Sequence, residues 1–449
     1  MATINNLKEA RIKKLDQLHQ LDINPYPAKC FRKNTIKEAR DLMGKEVVLT
    51  GRVMGIRGHG KILFNDLIDE SGKIQLLFKS DILDKKSFSL LELIDIGDFL
   101  SVTGIVGKTQ AGEITVTVSL FQIITKSVTP WPDKWHGLKD IEERYRKRYV
   151  DLMLNPQVKE RIQIRGRVIQ SIREFLFGKG YLEVETPTLQ PIYGGGFARP
   201  FKTHHNALDA DFFLRISDEM YLKRLIVGGF EKVFEITKVF RNEGIDHDHN
   251  PEFTMFEAQI AYEDYTYGMD IFEELVEYTA EKVLKNTKLN YQGLEINLKR
   301  PWKRWKLVEV VKEFTKVDPL IWQTVDEAKK GALEAGINPE KKTFLDKLTT
   351  IGEIIAFVFE EKVEEKLIQP TIIYDYPVEV SPLAKKCSDE RFTQRFEVFV
   401  FGSELGNNYS ELNDPLDLRK RFIEEKRREK AGFAEAHQTD YDYLEAIEH

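Results

Sequence analysis

Hydrophobic positions change their period along the chain. From Leu7 to about Leu21 they fall at helical spacing, with Leu15, Leu18 and Leu21 on one side and Lys8, Arg11, Lys13 and Lys14 on the other. This predicts an amphipathic helix within an N-terminal extension, residues 1–45. From Glu46 to about Ile124 apolar and polar residues alternate in short runs: Val47–Val53, Ile62–Phe64, Ile74–Phe78, Phe99–Val106, Ile114–Val118 and Leu120–Ile124. Gly58-His59-Gly60, Ser71-Gly72 and Ala111-Gly112 punctuate them. Short strands at this density predict a small barrel over residues 46–128, with an OB-fold as the natural candidate.

A linker follows at residues 129–156. It opens on Pro130, Trp131 and Pro132 and continues in the charged run Asp140–Tyr149. Helical spacing returns at Val158–Gly178, with Val168, Ile169, Ile172, Phe175 and Leu176 on the apolar side. Tyr181–Pro187 then reads as a strand ended by proline. Lys232–Phe240 and Phe253–Tyr262 read as two antiparallel strands. The polar stretch between them, with Gly244, Asp246, Asp248 and Asn250, reads as a loop. Residues 267–370 are expected to be mostly helical, at Asp270–Leu284, Lys306–Val317, Val325–Ala335 and Phe344–Leu367. A buried strand, Thr371–Pro377, and a charged helix, Leu416–Lys430, complete an α+β chain: a β-barrel, then an antiparallel sheet flanked by helices over residues 157–449.

Composition narrows this picture. A chain of 449 residues is too long for one core. Its net charge of −6 gives no overall basic field for nucleic acid, although a local basic surface is compatible with it. Cys30 and Cys387 lack paired spacing, which argues against a disulfide framework or zinc site and for a reducing compartment. Met1–Leu21 is charged throughout and is no signal peptide. The longest apolar run, Ile354–Phe359, is too short to span a membrane. A cytoplasmic protein is expected.

The candidate chemistry gathers in two stretches. Arg241, Glu243, His249 and Phe253 surround the loop between the two central strands. The Arg fork suits a phosphate, and the Phe ring offers a flat face to a base. In the second, Phe396–Asp414, Glu397 and Glu404 suit Mg²⁺, which takes a few carboxylates together with phosphate oxygens and water. The segment Phe240–Glu257 resembles motif 2 of class II aminoacyl-tRNA synthetases in the lysyl-specific form, and the resemblance extends over nearly the whole chain.

That resemblance implies a function and a set of roles. The activity would be ATP-dependent activation of L-lysine and its transfer to the 3′ end of tRNA(Lys), with ATP as substrate and Mg²⁺ on its phosphates. Arg241 would hold the α-phosphate and the substrate carboxylate. Glu243 and Asn250 would contact the adenine region, His249 would lie against the β- and γ-phosphates, and Phe253 would stack on adenine. Gly195, Glu219, Glu257, Asn407, Tyr409 and Glu411 would bind lysine, with Glu219 at its α-amino group and Glu411 at its ε-ammonium. Glu397 and Glu404 would hold magnesium. In the barrel, Phe64 would stack on an anticodon base, Arg52 and Gln75 would read base edges, and Glu113 would assist. The unit Val158–Pro187 resembles motif 1, which implies a homodimer. The basic side of the first helix fits a solvated face as well as nonspecific contact with RNA phosphates.

The sequence departs from the family pattern twice. Gln259 stands where the family has an aromatic residue near the lysine side chain. Motif 3, a glycine-rich strand and helix, has no counterpart before His449; truncation, completion by another chain and an inactive domain are the readings that follow. Other functions stay open beside the main one. They are a ligase for aspartate or asparagine, a lysine ligase acting on a protein, and a non-catalytic tRNA-binding module.

Overall fold

The alternating segment between Glu46 and Thr125 closes on itself. The computed structural model describes residues 4–131, 138, 140–196, 198–245, 249–430 and 440–449; Pro132, Asp246 and Asp248 lie outside the described residues. The chain forms two compact units, residues 1–161 and 162–449. In the first, strands β1 (Glu46–His59), β2 (Ile62–Asp69), β3 (Gly72–Lys79), β4 (Phe99–Lys108) and β5 (Ile114–Thr125) make a closed barrel in the order β1-β2-β3-β5-β4. Every second residue points inward, so Val47, Leu49, Leu67, Leu76, Phe78, Leu100, Val102 and Val116 fill the interior. Leu18 of the N-terminal helix Ile4–Gln20 joins this core and is fully buried.

The sequence divides β5 into two strands, and the structure has one. The partners of Thr103 and Gly104 on β5 are Leu120 and Val118, so Ser119 is an extra residue in the ladder. Its break in the alternation is a β-bulge rather than a strand end.

The second unit holds two main sheets. Strands β6 (Leu182–Glu183), β7 (Leu189–Gln190), β8 (Lys202–His205) and β9 (Ala210–Leu214) lead to the long hairpin of β10 (Lys232–Phe240) and β11 (Glu252–Ile260). One sheet runs β11-β10-β6. After β12 (Lys288–Tyr291) and β13 (Leu294–Asn297), strands β14 (Lys303–Lys306), β15 (Thr371–Pro377), β16 (Phe392–Val400) and β17 (Ser403–Tyr409) form the other in that order. The sheets are not wholly antiparallel: β6 pairs with β10, and β14 with β15, in parallel. The hairpin β12–β13 lies inside a region expected to be helical. Gln292 and Gly293 at its turn both have positive φ, +49° and +87°, as a two-residue hairpin turn requires.

Helices cover these sheets. Leu307–Thr315, Val325–Glu334 and Ile351–Lys362 pack together around Leu307, Val311, Ala328 and Val358, and reach the sheet at Ile373 and Phe399. Capping boxes at Thr324 with Glu327 and Thr350 with Glu353 set where two of them start. The helix Tyr265–Leu284 lies against β16 and β17, and Gly268 makes that approach possible. A Cβ there would run into Asn408 Oδ1 and stand 3.0 Å from the fully buried ring of Phe396.

A buried ion pair fixes the frame of the hairpin. Arg215 Nη1 lies 2.8 Å from Glu235 Oε1, and both side chains are 5% exposed. Arg215 also donates to Lys238 O, Thr186 O and Thr237 Oγ1, and Glu235 accepts from Thr186 N and Oγ1. Phe240 N donates to Arg215 O at 2.9 Å, so the end of β10 is pinned to the segment that follows β9. Removing the cation leaves Glu235 charged and unpaired inside the protein. Arg215→Met is expected to destabilise the second unit by about 3–5 kcal/mol, read from its midpoint in denaturant unfolding. A midpoint equal to that of the parent chain would show that the pair does not carry the frame.

Candidate active site

The mouth of the β10–β11 hairpin, the start of the helix Glu219–Val227 and strand β17 open onto one cavity of about 1800 Å³. Each contributes side chains for a local reason. Val239 pairs with Phe253, so Arg241 and Phe253 emerge together where the ladder ends. Glu219 is the first residue of its helix, and Lys223 follows one turn later on the same face. Asn407, Tyr409 and Glu411 succeed one another at the two-residue period of an extended strand and its continuation.

Of the residues expected to bind ATP, lysine or metal, Arg241, Glu243, His249, Asn250, Phe253, Gly195, Glu219, Glu257, Asn407, Tyr409, Glu411 and Glu404 all line this cavity. Glu397 does not. It pairs across the sheet with Asn407 and is held by Tyr376 and Arg395: Tyr376 O–H donates to Oε2 at 2.7 Å, and Arg395 Nη2 lies 2.5 Å from Oε1.

One part of the wall is dense in carboxylates. Lys223 Nζ stands 2.5 Å from Glu219 Oε1 and in ion-pair contact with Glu411 Oε2. Tyr409 O–H donates to Glu219, and the Tyr409 ring centroid lies 5.0 Å from Nζ. Burial pushes the Glu411 carboxyl up to about 7; Glu219 adds to the shift, while Lys223 and Gln259 pull against it. Glu257 accepts from Ser217 Oγ at 2.7 Å. Burial, Asp218 and Glu219 hold its carboxyl well above the usual range. Asp218 is pushed up to about 7 by burial and by Glu235. Two such neighbours cannot both ionise cheaply, so Asp218 disfavours the charged form of Glu257.

Gly195 forms the wall beside these groups. Its φ of +84° is a left-handed conformation, and a Cβ would lie 2.6 Å from Ser217 Oγ and 3.0 Å from Glu219 Cβ. Only glycine fits both constraints.

The other part of the wall is cationic and aromatic. The Arg241 guanidinium lies 5.2 Å from the Phe253 ring centroid. Burial lowers its pKa, and Glu243, Glu257 and Glu404 counter that shift; a guanidinium so placed stays charged. Arg199 N donates to Glu243 Oε1 at 3.3 Å, and Asn242 N to Arg199 O at 2.7 Å, which ties the hairpin loop to the preceding segment.

The carboxylates suit a magnesium ion that arrives on a nucleotide. No group of three or more His, Cys, Asp or Glu among the described residues is arranged to hold a metal by itself. Glu397 and Glu404 stand on the paired strands β16 and β17, close enough for Glu404 to raise the Glu397 pKa, after burial. Arg395 and Tyr376 fix one lone pair on each Glu397 oxygen and leave the rest for a cation. Two hard carboxylates match an ion that completes its shell with phosphate and water.

In the barrel, Gln75 and Glu113 meet. Gln75 Nε2 donates to Glu113 Oε2 at 2.9 Å, and Thr115 Oγ1 donates to Gln75 Oε1 at 2.8 Å. Phe64 is partly exposed on β2, opposite Arg57 on β1 and Leu77 on β3. Arg52 is engaged elsewhere, 4.4 Å from the Phe99 centroid and 4.9 Å from that of Trp131. Arg57 and Lys73 extend this face: both pair with Asp66, at 2.9 and 3.0 Å.

Sequence reasoning missed Lys223, Ser217, Asp218, Arg395 and Tyr376. Lys223 had a signal, four residues after Glu219 on a helix. Arg395 had one as well, two residues before Glu397 on a strand. Tyr376 comes from a different strand and had none.

Residues 140–449 match the family model described as tRNA synthetases class II (D, K and N), and residues 47–124 match that of the OB-fold nucleic acid binding domain. The lysine–tRNA ligase of Carboxydothermus hydrogenoformans is 50% identical over 99% of this chain and 91% of its own length. That of Clostridium kluyveri is 49% identical over 99% and 89%, and that of Pelotomaculum thermopropionicum 48% over 99% and 88%. With its catalytic-unit match spanning well over half the residues, the chain belongs to the class II tRNA synthetases of the D, K and N group.

Proposed function

We propose that the chain works as a lysine–tRNA ligase, activating L-lysine with ATP and passing the lysyl group to the 3′ end of tRNA(Lys). The observation that carries this reading is a single cavity that combines Arg241 over Phe253 with converging carboxylates, Glu219, Glu257 and Glu411. A substrate with a carboxylate at one end and ammonium groups elsewhere suits that wall. Relatives nearly half identical along almost the whole chain bear the same name.

In the first step a lysine carboxylate oxygen attacks the α-phosphorus of ATP, and the bond to the β-phosphate oxygen breaks to release pyrophosphate. In the second, the terminal ribose hydroxyl of the tRNA attacks the lysyl carbonyl, and AMP leaves. No side-chain nucleophile is required; positioning and charge stabilisation carry the rate. Arg241 holds the α-phosphate and the attacking carboxylate. Phe253 stacks on adenine, Glu243 and Asn250 contact its edge, and His249 lies against the outer phosphates. Glu397 and Glu404 would hold magnesium, which neutralises phosphate charge when bound. Glu219 takes the α-ammonium with Gly195 and Glu257 beside it, Glu411 takes the ε-ammonium, Asn407 assists, and Tyr409 packs on the aliphatic stem. A neutral side chain would leave buried carboxylates unpaired, which is the basis of selection. The Gln259 amide reaches Glu411 from the position where an aromatic was expected.

The reading extends to the rest of the chain. The barrel, residues 46–128 after the extension 1–45, takes the anticodon through Phe64, Arg52, Gln75 and Glu113. Residues 129–156 link it to the catalytic domain, residues 157–449. Assembly as a homodimer through Val158–Pro187 and a cytoplasmic location follow from the resemblance. Among the described residues no helix is long and apolar enough to cross a membrane.

Lysine-dependent ATP–pyrophosphate exchange tests the reading. Exchange is expected with L-lysine and not with aspartate or asparagine; exchange driven by either of those would overturn the assignment. The exchange KM for lysine is also expected to rise as pH falls below about 7, because the ammonium partner Glu411 then protonates. Glu411→Gln is expected to raise that KM about 10-fold or more, the cost of losing one charge-assisted hydrogen bond, and to abolish the pH dependence in this range. A glutamine variant that keeps the parent profile would remove Glu411 from the site.

A further inference from the structure

Lys223 is the odd group in the carboxylate wall. It is a cation in a pocket built for cations, and its side chain is 4% exposed. Its ammonium touches Glu219 and Glu411, the two carboxylates assigned above to the substrate's two ammonium groups, and lies over the Tyr409 ring. An amphipathic helix would bury an apolar residue here at no electrostatic cost. A buried ammonium is kept only where its charge is used.

The electrostatics show the use. Lys223 pulls the Glu411 carboxyl back towards its charged form, against burial and Glu219. Without the ammonium that carboxyl would hold its proton to higher pH in a poorly solvated site. Lys223 also joins parts that are distant in sequence: it binds the helix Glu219–Val227 to the segment after β17, and so sets the spacing of the two carboxylates.

Building on the lysine-site reading above, we propose that Lys223 is a positioning residue for amino-acid selection: a built-in ammonium that bridges Glu219 and Glu411, fixes their spacing, and that the substrate's ammonium must join. The groups facing it are Glu219 on its own helix, Tyr409 and Glu411 from the β17 segment, Tyr443 from the helix Tyr441–Glu448, and Glu257 and Gln259 on β11, which face its two carboxylates.

The test is L-lysine binding by isothermal titration calorimetry between pH 6 and 9, with the full chain and two variants. In the parent chain affinity should fall off below a break near pH 7. In Lys223→Met the break should move up by about one pH unit or more, a loss of about 5-fold at pH 7 from the ionised fraction alone. Above the break this variant should bind lysine at least as tightly as the parent, because the competing ammonium is gone. Lys223→Arg keeps the charge and should leave the break in place. A Lys223→Met break that stays near 7, or a loss equal at every pH, would overturn the proposal. Should the methionine variant fail to fold, the arginine variant carries the test, and a shift of its break by a full unit overturns the proposal. No lysine binding by the parent chain would instead defeat the reading of the site itself.

Discussion

The catalytic unit is organised around the buried pair of Arg215 and Glu235. Arg215 spends its guanidinium protons on Glu235, on the carbonyls of Thr186 and Lys238, and on Thr237, and its own carbonyl accepts from Phe240. Three segments are thereby locked: the stretch after β6 that carries Thr186, the strand β10, and the turn that carries Ser217, Asp218 and Glu219. Arg241 follows directly on the pinned end of β10, and Glu219 lies four residues past Arg215. The Arg241 side and the carboxylate side of the cavity are thus held by one cation. In water such a pair would contribute little; inside the protein its partners are obligatory, because breaking it strands a charge.

Around this frame the cavity accumulates like charges. Glu219, Asp218, Glu257 and Glu411 lie within one wall, and burial alone would neutralise several of them. The structure manages this by two devices. Lys223 bridges Glu219 and Glu411, and donors from Ser217 and Tyr409 supply hydrogen bonds without charge. The same logic recurs on β16, where Arg395 and Tyr376 hold Glu397. Such repulsion lowers the stability of the free protein, and any cation entering the wall would relieve it.

How much of this could be read from sequence depended on distance along the chain. The hairpin was legible because Lys232–Phe240 and Glu252–Ile260 each alternate on their own, with a polar stretch between them. The barrel was legible for the same reason, although Ser119 mimicked a strand end because a bulge shifts the period by one residue. The hairpin β12–β13 was missed because it is short and sits among strong helical patterns; Gln292-Gly293 was its only signal. The cavity residues were legible as a set, since the resemblance covers both stretches that supply them. Their pairings were not. That Lys223 meets Glu411, or Tyr376 meets Glu397, depends on how a helix lies against a sheet, and no local period encodes it.

Gly268 illustrates a different kind of bargain. Anyone seeking to make this protein more heat-resistant would mark it first, since a glycine inside a helix costs about 1 kcal/mol against alanine. The added methyl would meet Asn408 Oδ1 and the ring of Phe396, which is fully buried and has no room to withdraw into. The helix Tyr265–Leu284 would lift away from the strand that carries Asn407 and Tyr409. Rigidity gained in the helix would be lost from the wall of the cavity, so at this position the route to a sturdier helix leads to a looser site.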